Sequence, residues 1–192
     1  VTLKPLTTGE KVAILISYGV GEDDDPEGKS GLAHLVEHCY VTSAAGRPKQ
    51  RTADEFMARY PRAWNAQTGM RYTVIAVMVP KEDLAAELEE AAARMGALEI
   101  TQADLDREIP RIRQELVAMF DAPSGLAASN RAWELARPSP GTGRKGGVIE
   151  QIEKLTLEDV QAWHAKHYKP VNARLVLLGP FDEAETKTLV AK

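Results

Sequence analysis

Apolar residues along this chain fall either in short continuous runs or at helical spacing. Val12 to Tyr18 (VAILISY) is a continuous apolar, partly β-branched run closed by Gly19, and it predicts a buried strand. Met70 to Val79 (MRYTVIAVMV), closed by Pro80, and Ala173 to Leu178 (ARLVLL), closed by Gly179, predict two more. Gly31 to Tyr40 behaves differently: Leu32, Leu35, Val36 and Cys39 recur at helical spacing, with Ser30 placed to cap the helix. Further helices are expected from Thr52 and Glu55 to near Tyr60, and from Lys81 to Met95 with Gly96 as its C-cap. Thr101 and Asp104 open another that runs to about Phe120 and bends at Pro110. Ser124 to Ala136 and Thr156 to about His167 read as helices around a Gly/Pro loop at Pro138 to Gly147. Asp182 and Glu185 open a last one. Strands and helices mix without regular βα alternation, which predicts an α+β architecture, helices packed on an antiparallel or mixed sheet.

At 192 residues the chain is long enough for one domain with its own core, and residues 1–192 are read as a single unit. A formal charge of −4, from 24 Lys+Arg against 28 Asp+Glu, leaves no cationic excess for a phosphate backbone or an anionic lipid surface, so no nucleic-acid partner is expected. No apolar run is long enough for a membrane span, and the single cysteine, Cys39, has no intrachain partner for a disulfide. The chain reads as soluble. It begins at Val1 rather than Met, and its last helix signal stops short, so an excised N-terminal half of a longer protein is expected. The compartment stays open, with the cell envelope or periplasm available if a leader has been removed.

The chemistry concentrates in His34-Leu35-Val36-Glu37-His38, an H-x-x-E-H run on the helix just described. At about 100° per residue, His34 and His38 sit roughly 40° apart on one face, one turn from each other, with Glu37 beside them. Two imidazoles so placed can grip one Zn²⁺, and the neighbouring carboxylate can take a proton from water at the metal. A catalytic zinc needs a third protein ligand and one open position. The pentapeptide alone also fits a capped surface helix carrying two incidental histidines.

The rest of the chain resembles the pitrilysin/insulinase family of zinc metallopeptidases, which includes the mitochondrial processing peptidases. The pieces that carry the resemblance are ISYGVG, GLAHLVEH, the Asn65-Ala66 pair with its following strand, REIPRIRQE, and HYKPVNARLVLLGPFD. The resemblance implies the family's metallohydrolase fold, peptide hydrolysis and a Zn²⁺ cofactor. It implies Glu37 as general base and His34, His38 and a distant glutamate as metal ligands. Glu115, 77 residues after His38, fits that glutamate's spacing, and Glu108, seven residues earlier, fits a carboxylate supporting the site from behind. Without the resemblance, both would read as a solvated charged face beside Arg107, Arg111 and Arg113. Asn65 and Ala66 match a pair that holds an extended peptide on a sheet edge, although YPRAW precedes them where family members often have glycines. The family also needs a second homologous half, fused or separate, so the expected partners are a peptide substrate and that half. The expected function is a zinc-dependent endopeptidase whose isolated N-terminal half is weakly active at most.

A non-catalytic scaffold or partner subunit on the same fold is the alternative; the intact H-x-x-E-H argues against it. Gly141, Gly143 and Gly146 spell a dinucleotide-type glycine pattern, but no strand feeds it, and it reads as a loop. The acidic run Glu22 to Asp25 reads as a solvated turn, and His164 and His167 as structural.

Overall fold

A computed structural model describes residues 1–46, 58, 60–61, 63–136 and 146–192. The helix expected from Thr52 lies almost wholly outside the described residues, as do Gly141 and Gly143 of the glycine pattern. The architecture is mixed α+β. Five strands form the main sheet in the order β1, β7, β2, β5, β4: β1 (Thr2–Pro5), β7 (Ala173–Gly179), β2 (Lys11–Tyr18), β5 (Thr73–Pro80) and β4 (Trp64–Thr68). β1 runs parallel to β7, and the other pairings are antiparallel. The central strand β2 buries Val12, Ile14, Ile16 and Tyr18 on alternate positions. That period of two marks a sheet with one face on the core.

Helix α1 (Leu32–Thr42) carries the H-x-x-E-H residues and buries nearly every one of its side chains down to Tyr40. It packs against β4, against α3 (Gln102–Leu116) and against α6 (Leu157–His167). The remaining helices are α2 (Leu84–Gly96), α4 (Gly125–Ala136), α5 (Ile149–Ile152) and α7 (Glu183–Val190), and a short π-helical turn, Val117–Asp121, extends α3. The capping boxes expected at Thr101 and Thr156 form, and Asp182 caps α7 through the Glu185 amide.

Three local expectations are corrected. Ser30 does not cap α1: the N-cap is Gly31, at φ +94°, and the Asp25 carboxylate reaches in to accept the Gly31 and Ala33 amides at 2.7 and 2.8 Å. An added Cβ on Gly31 would sit 2.5 Å from Ile152, so both backbone angle and space demand glycine there. Gly96 lies inside α2 rather than capping it, and the strand expected from Met70, β5, begins at Thr73, because Gly69–Tyr72 turns the chain between β4 and β5. The period of the apolar pattern also left β1, β4, α5 and the two-residue ladder β3 (Ala44–Ala45) with β6 (Leu98–Glu99) unread, each too short to show one. Among the described residues, no helix is long and apolar enough to cross a membrane.

Candidate metal centre

α1 and α3 lie side by side, and the two segments separated by 77 residues meet there. The His34 and His38 rings, one turn apart, have centroids 4.8 Å from each other. Their Nε2 atoms lie 3.8 and 3.5 Å from the same Glu115 oxygen. One donor atom from each of His34, His38 and Glu115 falls within 4.8 Å of the others. Ligands about 2.1 Å from a shared tetrahedral ion lie roughly 3.4 Å apart, so this donor set, two imidazoles and a carboxylate, fits a zinc ion with little movement.

Pro110 does not stop α3 from reaching the site. Its missing N–H deprives the Asp106 carbonyl of a partner, but both residues lie on the exposed face, open to solvent. Glu108 and Glu115, about two turns apart, therefore share the face toward α1. Glu108 is fully buried, and its carboxylate accepts from Arg107 Nε at 2.9 Å, from Arg111 at 3.2 Å and from His38 Nδ1 at 3.2 Å. Burial opposes its charge, yet these donors outweigh it and hold the carboxyl down to about 2. An ionised Glu108 accepts only, so His38 Nδ1 is the donor and its Nε2 faces Glu115. Burial likewise opposes a charge on His38, but the hydrogen bonds to Glu108 and Glu115 raise it to about 9 in the metal-free chain. His34 moves the other way, lowered by burial and then by the His38 charge.

Glu37 is buried at the inner end of the site, where Thr68 Oγ1 donates to its Oε2 at 2.7 Å. Asn65 and Ala66 lie on β4, paired to Ala76 and Ile75 of β5 on one side. Among the described residues no strand pairs with the other edge of β4. That edge borders a cleft of about 340 Å³ whose lining includes Asn65, Ala66, Glu37, Glu115, Arg111 and Met119. All seven residues singled out from the sequence, His34, Glu37, His38, Asn65, Ala66, Glu108 and Glu115, thus line one cleft.

Four groups were missed. Thr68 carried no local signal, because a lone threonine at a strand end is ordinary. Glu22 and Asp25 belonged to a run read as a solvated turn, whereas their carboxylates bind the amides of Gly146 and of Gly31 and Ala33. Gly146 belonged to the glycine loop, and its carbonyl oxygen lies 2.9 Å from His34 Nδ1. His164 is held by the Arg94 carbonyl at 2.9 Å, away from the cleft, as a structural histidine would be.

The chain is also similar to known proteins. The family described as Insulinase (Peptidase family M16) matches residues 1–137, and the one described as Peptidase M16 inactive domain matches residues 154–192. Zinc protease PqqE of Helicobacter pylori is 25% identical over 182 residues, 94% of this chain and 41% of that protein. Protease 3 of Salmonella typhimurium is 27% identical over 154 residues, 78% of this chain and 16% of that protein. The crystal structure of a protease from Helicobacter pylori superposes with a TM-score of 0.82 at 25% identity, covering 99% of this chain and 48% of that one. The first half of the periplasmic protease PqqL from Escherichia coli gives 0.84 at 20% identity, covering 98% and 42%, and shares the fold. This chain spans less than half the length of these proteins, all of them proteases by name. With more than half of its residues matched by the first of the two family models, the chain belongs to the insulinase (M16) peptidase family.

Proposed function

We propose that this chain is the metal-binding half of a zinc-dependent endopeptidase. His34, His38 and Glu115 would hold the ion, and Glu108 would fix the His38 ring from behind. Zinc bound there supplies Lewis-acid chemistry, polarising the scissile carbonyl and bringing the pKa of water toward neutrality. Glu37 takes a proton from the attacking water and delivers it to the departing amine, so one carboxylate serves both steps. Thr68 holds one Glu37 oxygen and leaves the other for the proton. Asn65 and Ala66 on the unpaired edge of β4 would bind the peptide as an added strand, aligning its scissile amide with the cleft.

The observation that carries this reading is the convergence of three donor groups, from two helices far apart in the sequence, within 4.8 Å beside a buried carboxylate. The test is zinc content: about one equivalent in the wild type, and a large loss of affinity in Glu115→Ala. Glu37→Gln should keep the zinc and lose peptide hydrolysis in the complete two-half enzyme. Near-normal turnover by Glu37→Gln would remove the proposed base, and a zinc-free wild type would remove the peptidase reading.

A further inference from the structure

Gly146 lies between the two stretches that the family comparisons match, and it touches the metal centre. Both of its main-chain polar groups are engaged: the amide donates to Glu22 Oε1 at 2.7 Å, and the carbonyl oxygen lies 2.9 Å from His34 Nδ1. A carbonyl only accepts, so this bond requires the proton on Nδ1, and in the neutral imidazole that leaves the Nε2 lone pair free. Nε2 is the atom that faces Glu115.

The surroundings hold Gly146 in this pose. At φ +83°, it occupies a conformation that side-chain-bearing residues rarely adopt, and an added Cβ would come 2.8 Å from Leu116. The next residue, Gly147, is pressed against the start of α1, where its own Cβ would lie 2.4 Å from the Gly31 Cα. Glu22 is anchored in turn: its amide donates to the Gly69 carbonyl at 3.0 Å, in the turn that directly follows Thr68. The end of β4 and the turn that follows it thus reach both groups, Glu37 through Thr68 and His34 through Glu22 and Gly146.

We propose that Glu22 and Gly146 are positioning residues of the metal site: the carboxylate clamps the glycine strap so that its carbonyl holds His34 with Nε2 free for the ion. The proposal rests on the zinc-peptidase reading for the identity of the ion, and it assigns to Glu22 and Gly146 the orienting part that Glu108 plays for His38. In a buried site, free rotation of the strap would let the imidazole turn or take its other tautomer, and groups of this kind are typically worth 10–100-fold in metal affinity.

Two measurements on the 192-residue chain test it. Nitrogen NMR of the imidazoles in the metal-free protein should show His34 protonated at Nδ1 and unprotonated at Nε2. Chelator competition should show zinc bound at least about tenfold more weakly by Glu22→Ala. Glu22→Gln, whose amide oxygen still accepts from Gly146, should restore most of that loss. A wild-type His34 protonated at Nε2 would overturn the proposal even if Glu22→Ala failed to fold. Unchanged zinc affinity in a folded Glu22→Ala would overturn it too. Failure of the wild type to bind zinc at all would strike the peptidase reading instead, because the tautomer is read without metal.

Discussion

His38 shows how single residues set the terms of metal binding. In the metal-free chain it is raised to about 9, because Glu108 and Glu115 both favour its charged form over the cost of burial. A metal ligand must be the neutral imidazole, so zinc has to displace a proton there. Zinc affinity should therefore rise as pH increases from neutrality toward about 9, with proton release on binding, as pH-dependent calorimetry would record. A pH-independent affinity over that range would show that His38 is already neutral. The same raised value stabilises the metal-free fold below the ordinary 6.5 and loses that contribution as pH climbs through about 9. Glu108 has the opposite sign. Held near 2, it stabilises the fold above its ordinary 4.5, and that contribution fades as pH falls toward 2. Glu108→Gln should thus cost the metal-free chain more stability at pH 7 than near pH 3, measured by urea unfolding; an equal cost at both would remove the ionised carboxylate from the account. The histidines and Glu37 were legible in the sequence because their chemistry is local, five consecutive residues on one helix. Thr68, Glu22 and Gly146 were not, because each acts through a single hydrogen bond across the fold.

At the scale of elements, α1 is held at both ends by side chains from elsewhere. Its N-terminal amides are taken by Asp25, six and eight residues ahead, and Arg94 of α2 donates to the Tyr40 and Ser43 carbonyls at 2.6 and 2.9 Å at the other end. A carboxylate at the N-terminus and a guanidinium at the C-terminus also match the helix dipole. Asp25→Ala leaves two buried amides without their acceptor and should destabilise the chain by about 1–2 kcal/mol in chemical denaturation. A loss within error would mean that water serves the same amides. Capping boxes at Thr101 and Thr156 were readable because they use residues three apart, whereas the Asp25 cap closes over a loop whose path no short window reveals. Pro110 was expected to bend α3; what matters to the site is that the helix continues through it, which keeps Glu108 and Glu115 on one face.

Over the whole molecule, the cleft is open: Glu115 has a side chain 46% exposed, and the free edge of β4 borders the same space. We therefore expect the isolated chain to bind zinc and to cleave peptides weakly or not at all, with turnover appearing when a second homologous half closes over the cleft. Robust peptide hydrolysis by the purified 192-residue chain would refute this. Short apolar runs specified the strands β2, β5 and β7, and helical spacing with capping signals specified most of the helices, since burying an element leaves a trace in its own sequence. The H-x-x-E-H run specified two candidate ligands and a base because all three lie within one helical turn or so. The meeting of Glu115 with the imidazoles and the edge placement of Asn65 and Ala66 were expected only through the family resemblance and come about by tertiary packing, which alone decided the strap from Gly146. Contacts between residues far apart in the chain follow from how sheet and helices stack, and no local pattern encodes that distance.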